Sequence, residues 1–144
     1  MQSLARLFLL LLCTLALAAH AADKSEDTIL GVWLTDQKDS KIEVARHGAS
    51  YAGKIVWLQE PQRDGKPVVD AKNEDASLRS RPILGIEILS GFAYASDSAW
   101  KSGMVYSPRT GKTYPAEIKL GKDGRLDIKV KDGMFSKHVI WTRQ

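Results

Sequence analysis

Leu126, Ile128 and Val130 alternate with Arg125, Asp127, Lys129 and Lys131, and this period of two dominates the chain from Gly31 onward. Alternation of that kind marks strands with one buried face. Tyr114, Ala116, Ile118 and Leu120 alternate with Pro115, Glu117 and Lys119 in the same way, and Ile42 and Val44 with Lys41 and Glu43. Turn signals separate the runs at Arg46-His47-Gly48, Ser107-Pro108-Arg109-Thr110-Gly111, Asp123-Gly124 and Asp132-Gly133, where glycine supplies the positive φ of a tight turn. Eight strands are predicted, near 32–37, 41–46, 50–58, 83–90, 100–106, 113–120, 125–131 and 138–143. The fold class is therefore all-β. Eight sequential antiparallel strands with hairpin links close into an up-and-down barrel wide enough for one small ligand, and closure removes the exposed edges that invite aggregation. A seven-strand sandwich is the competing architecture.

Two connections exceed a tight turn. The longer, 59–82, joins strands three and four, and the other, 91–99, is small and polar. Within the first, Asn73 is placed to cap a short helical turn, with Glu74 and Asp75 at its positive end and Arg79 near its negative end, stopped before Pro82. Connections this long in a compact domain are usually functional or disordered. Strand order also places their ends. Pairing Tyr106 with Tyr114 sets Met104 opposite Ala116, Ser102 opposite Ile118 and Trp100 opposite Leu120. The next hairpin sets Leu120 near Leu126, Ile118 near Ile128 and Ala116 near Val130, and Val139, Trp141 and Arg143 extend that face. One end then holds Trp33, Trp100, Leu120, Leu126 and Arg143. The opposite end receives Tyr106, Tyr114, Trp57 and the long connection, which reads as a mouth and its lid.

Ahead of the strands, Arg6 precedes the apolar run Leu7 to Leu17 and small residues ending Ala19-His20-Ala21, the order of a secretory signal peptide with cleavage expected after Ala21. The run is shorter than the roughly 20 residues that cross a bilayer. No second apolar run follows, so no transmembrane segment is expected after cleavage. The single cysteine, Cys13, lies in the leader, preceded by leucines rather than the small residues of a lipid-attachment site. Cleavage leaves 144 − 21 = 123 residues without a thiol, so a domain in an oxidising compartment must hold together without disulfides. The expected organisation is a cleaved leader over 1–21, a flexible lead over 22–30 and one barrel domain over 31–144, periplasmic or secreted. Without Arg6 the basic side chains number 20 against 17 acidic, a net +3 dispersed along the chain. Nucleic-acid proteins concentrate such charge on one face, so no nucleic-acid partner is expected.

Candidate chemistry is sparse. His47 sits in a predicted turn and His138 begins the last strand, neither beside a serine or acid of specifiable role. Asp64, Asp70 and Asp75 lack the alternate-residue spacing of a calcium loop. No metal site, no cofactor and no catalytic residue is expected. Arg79 and Arg81 flank the start of the apolar run Ile83-Leu84-Gly85-Ile86 at the mouth. Arg81 either clamps the anionic head of a ligand with its planar fork or pairs with Asp70 or Asp75 to hold the long connection down. Asp70, Asn73 and Arg79 are read as anchors of that connection. Trp57, Tyr106 and Tyr114 are candidates for ligand contact, with aromatic core packing the alternative.

Gly31-Val32-Trp33 on the first strand and Trp141-Thr142-Arg143 on the last resemble the end-closing pair of lipocalins and other calycin barrels, in which arginine lies against tryptophan. Trp33 and Arg143 are then a structural closure. The wider series is more specific. It runs through Tyr51-Ala52-Gly53-Lys54-Ile55, Asp70 with Asn73, Leu78-Arg79-Ser80-Arg81-Pro82-Ile83-Leu84-Gly85, Gly103-Met104-Val105-Tyr106-Ser107-Pro108, Gly111-Lys112-Thr113-Tyr114 and the closing Trp-Thr-Arg. It resembles a family of small exported bacterial proteins of unknown function with a lipocalin-like barrel, departing at Ser107, where the family has aspartate, and near Lys131-Asp132-Gly133. The resemblance implies the barrel and no established activity. The expected function is a non-catalytic carrier or sensor of a small apolar or amphipathic ligand. The alternatives are an envelope protein–protein interaction module with a filled barrel and, third, a weak hydrolase.

Overall fold

The structure is a computed structural model and describes residues 25–144; the leader and its cleavage site lie outside the described residues. The strands are β1 (Gly31–Leu34), β2 (Ser40–His47), β3 (Ser50–Leu58), the short pair β4 (Gln62–Arg63) and β5 (Lys66–Pro67), then β6 (Glu87–Ser96), β7 (Ala99–Ser107), β8 (Lys112–Leu120), β9 (Leu126–Asp132) and β10 (Phe135–Arg143). Eight of them close into one barrel in the order β1, β10, β9, β8, β7, β6, β3, β2. Each neighbouring pair is antiparallel, and β1 joins β10 through Trp33 opposite Arg143. The small β4–β5 hairpin lies inside the long connection. Among the described residues no helix is long and apolar enough to cross a membrane.

The alternation expected in β8, β9 and β10 sets their register: Ala116, Ile118 and Leu120 face Val130, Ile128 and Leu126, and Val139 and Trp141 face Ile128 and Leu126. In β7 the expected register is displaced by two residues at its start, where Trp100 pairs with Ile118 and not Leu120, and by one residue at its outer end. Val105, not Tyr106, pairs with Tyr114, and Gly103, not Met104, pairs with Ala116. A bulge between Trp100 and Gly103 separates the two offsets, with Ser102 held at φ 61°. An extra residue in one strand re-aims every side chain beyond it. Gly103 is needed at the inward position because a Cβ there would sit 2.3 Å from the Phe92 ring.

Three further expectations change. The connection over 91–99 is no loop: β6 runs on to Ser96, buries Phe92, and turns into β7 through Asp97 and Ser98, both at positive φ. That is the geometry of a tight two-residue hairpin. β1 stops at Leu34 because Thr35 to Asp39 form a turn with Lys38 at φ 59°. The cap of the short helical turn over Ala76–Leu78 is Asp75, which accepts from the Ser77 amide at 2.9 Å.

The lead expected to be flexible is, from Ser25 on, ordered against the barrel, with Ile29 in the core. Glu26–Ile29 form a 3-10 helix with Ile29 fully buried. The helix lies across one end of the barrel, held by donors aimed at its main-chain carbonyls. Trp33 Nε1 donates to Ile29 at 2.9 Å, Trp100 Nε1 to Glu26 at 3.2 Å, and Arg143 donates to Leu30 at 2.8 Å and to Thr28. The Arg143 guanidinium lies 4.2 Å from the centre of the Trp33 ring. Beneath it Trp33, Trp100, Tyr51, Phe92 and Leu126 are fully buried, and Tyr94 and Tyr51 meet Trp100 edge-on. Buried aromatics of this size contribute most of a small core's stability. This end is a floor.

Candidate functional site

Beyond the floor the inward side chains are mostly aliphatic, with Trp141 among them. Ile55, Ile88, Val105, Val130, Val139 and Trp141 line a cavity of about 380 Å³ at the other end. Its rim is polar, with Thr35, Asp36 and Asp39 from the β1–β2 turn, Ser107 and Arg109 from the β7–β8 turn, and Asp132 and Lys137 from the β9–β10 hairpin. In the barrel order the β1–β2 and β7–β8 turns stand on opposite sides. The ion pair between Arg109 Nη2 and Asp39 Oδ2 therefore straps the mouth across its diameter. Asp39 is set for this by hydrogen bonds from Thr35 at 3.1 Å and Ser40 at 3.0 Å.

Beside the mouth the long connection is tied to the barrel by one carboxylate. Asp70 is fully buried and accepts from the Tyr106 hydroxyl at 2.5 Å, Asn73 Nδ2 at 2.8 Å and Arg81 at 3.0 and 3.1 Å. Asn73 Nδ2 also donates to the Tyr106 oxygen at 3.0 Å. Burial opposes the charge on Asp70, but the hydrogen bonds from Tyr106, Asn73 and Arg81 and the arginine's charge outweigh it and hold this carboxyl below the usual range. Burial, and then the bond to Asp70, push the Tyr106 phenol up to about 12. Arg79 donates to the Asn73 carbonyl at 2.7 Å. Gly111 completes the clasp, since a Cβ there would lie 1.7 Å from the Lys72 carbonyl oxygen.

The structure separates the four residues expected to contact ligand. Tyr106 and Tyr114 line the cavity; the Tyr114 hydroxyl bonds Thr110 at 3.1 Å. Trp57 does not. A register shift between Lys41 and Ile42, where β2 pairs with β3, accompanies Trp57 standing outside the cavity, 39% exposed under the Lys41 ammonium. Arg81 lies outside the lining too, its fork engaged by Asp70 and its guanidinium 5.8 Å from the Tyr106 ring. The anchors Asp70, Asn73 and Arg79 meet in one cluster, and Trp33 meets Arg143 at the floor. His138 pairs with Asp127 at 2.7 Å on the outer surface, and His47 is exposed. Among the described residues no three His, Cys, Asp or Glu side chains are grouped as a metal requires.

Sequence reasoning missed Asp39, Arg109 and Lys137 at the rim. Their one signal was position in predicted turns or strand ends at the mouth. Val105 was missed because the bulge hides its inward face.

Residues 31–143, from the first residue of β1 to the last of β10, match a family described as uncharacterized protein conserved in bacteria (DUF2147). The chain belongs to this family. The matched span coincides with the closed barrel of this chain. No curated protein matches the chain. Among solved structures it is similar to one described as "Protein HP1028 from the human pathogen Helicobacter pylori belongs to the lipocalin family", with 23% identity, 80% of this chain and 82% of that chain covered, and a TM-score of 0.69. At that identity the likeness shows the fold, a lipocalin-like eight-stranded barrel.

Proposed function

We propose that this DUF2147 protein is exported and acts, without catalysis, as a carrier or sensor of a small, partly apolar molecule held in the barrel. The observation that carries the proposal is the cavity of about 380 Å³, apolar below and polar at its rim. That volume lies within the range of about 300–1,000 Å³ in which small-ligand sites fall. A filled barrel, the configuration of a pure interaction module, would leave no such space. The apolar part of the ligand packs between Val105, Val139 and Trp141, and its polar end meets Arg109, Lys137 or the carboxylates of Asp36 and Asp132. The polar end is assigned to this rim rather than to Arg81, which lies outside the cavity lining. Entry requires the Arg109–Asp39 strap to open, a gating step of the kind that sets rates in lidded sites.

Native mass spectrometry of protein purified from its own organism reads a co-purified ligand directly. Its counterpart is a cavity-filling substitution: Val139→Trp is expected to weaken binding of an apolar fluorescent probe by at least about tenfold, with the far-ultraviolet circular dichroism of the barrel retained. Equal probe binding by a folded Val139→Trp protein would remove the cavity from the account.

A further inference from the structure

Among the described residues the large apolar side chains on the outside are not spread evenly. Val56 and Trp57 near the outer end of β3, Val69 and Leu84 in the long connection, Met104 on the outer half of β7, and Met134 and Phe135 in the β9–β10 hairpin are all more than a third exposed. All of them lie on the mouth half of the barrel. On the floor half, Ile140 is the corresponding residue. The extremes are adjacent in sequence: Met134 is 97% and Phe135 80% exposed. Asp132 and Lys137, which bracket them, are themselves rim residues, so the hairpin tip projects beyond the mouth. Scattered exposed apolar residues need no explanation, but a pair at a protruding tip is unfavourable in water unless something receives it.

The charges around the tip indicate what receives it. Lys131 and Lys137 flank the pair on β9 and β10, and Lys112 begins the neighbouring strand β8 at the same end. Asp132 lies between Lys131 and Lys137, and the rim also carries Asp36 and Asp39, the latter paired with Arg109. Lys131 is shared with Glu117 at 3.0 Å on its barrel side. An apolar and aromatic tip collared by lysines suits a bilayer interface, where the side chains enter the acyl boundary and the ammonium groups remain with the phosphates.

We propose that the mouth end docks on an anionic phospholipid bilayer, with Met134 and Phe135 inserted and Lys112, Lys131 and Lys137 at headgroup level. Docked this way, the cavity opens toward the membrane and the floor faces water. The proposal does not depend on what the cavity holds, and it is tested without any ligand.

The test is co-sedimentation with vesicles of phosphatidylglycerol and phosphatidylethanolamine, using protein freed of its leader, residues 22–144, which carries the whole barrel and its core. Wild type is expected to bind, and binding is expected to weaken as salt rises. The double variant Met134→Ser, Phe135→Ser changes only exposed side chains. It should keep the wild-type thermal midpoint and bind the vesicles about tenfold more weakly or worse. Lys112→Glu with Lys137→Glu should reduce binding and flatten its salt dependence. Wild-type protein that ignores the vesicles at low salt overturns the proposal. So does a tip variant that binds as well as wild type. A tip that instead holds two copies together, seen as a dimer in sedimentation velocity that the double variant abolishes while neither protein binds vesicles, overturns it in favour of self-association.

Discussion

At the floor, Trp33, Trp100, Tyr51 and Phe92 converge, fully buried, under a 3-10 helix; at the mouth, Ile55, Ile88, Val105, Val130 and Val139 stop short of one another and leave a cavity. The same strands supply both. The difference lies in side-chain volume and in how each end is fastened. The floor is a continuous apolar core whose donors reach main-chain carbonyls, while the mouth hangs on a buried carboxylate and an exposed ion pair. Packing concentrated at one end leaves the other less constrained, the division expected of the proposed carrier.

The sharpest way to break the comparison is at the core of the floor. Trp100→Ala removes a fully buried indole and is expected to cost about 3–5 kcal/mol in urea unfolding, whereas Val105→Ala, which faces the cavity, should cost only about 1 kcal/mol. Equal costs would mean that the two ends are equally packed. Next is the clasp. Asp70→Asn keeps the shape but withdraws the charge on which Tyr106, Asn73 and Arg81 converge, and about 2 kcal/mol is expected, less than for a fully buried pair because Arg81 is partly in solvent.

The clasp also has a pH signature. The Asp70 carboxyl is held below its ordinary value, so around pH 3–4 the native state binds fewer protons than the unfolded chain, whose carboxyl titrates near about 3.9. Its contribution is therefore fully present above that value and is lost as pH falls through the native one. On the alkaline side Tyr106 is pushed up to about 12 by burial and then by Asp70, and Tyr51 to about 12 by burial and then by Asp27. Native phenols keep protons that unfolded ones release, so stability declines as pH rises beyond about 10. Urea midpoints against pH should show both limbs in wild type, a weaker acid limb in Asp70→Asn and a shallower alkaline limb in Tyr106→Phe.

The smallest thermodynamic effect belongs to the strap. Arg109→Ala should change stability by less than about 1 kcal/mol, as exposed ion pairs do. Stopped-flow binding of an apolar probe should nonetheless be several-fold faster. Unchanged rates would show that the strap does not control access.

How far each end could be read in advance follows from how it is built. The floor was written in regular alternation and in aromatic residues at strand ends, so strand counting alone brought Trp33, Trp100, Leu126 and Arg143 together. Counting also assigned the long connection to the mouth. The mouth itself was harder because its side chains are placed by irregularity. The bulge at Ser102 exchanges the faces of Met104 and Val105, and the turn at Asp97-Ser98 adopts positive φ without a glycine to announce it. Asp70 was read as an anchor, but its partner Tyr106 is distant in sequence and left no local trace. Asp39 and Arg109 meet only because the barrel closes, which sets their turns opposite each other.

The seal of the floor carries a kinetic consequence. Its donors come from Trp33, Trp100 and Arg143, and its acceptors are the carbonyls of Glu26, Thr28, Ile29 and Leu30. Arg143 must meet Thr28 and Leu30 across nearly the whole sequence, so hairpins from β6 to β10 can form while the cup still has no bottom. Ring closure is the least local pairing and is expected to be the slow step of folding. A chain emerging progressively stays an open sheet until β10 has arrived.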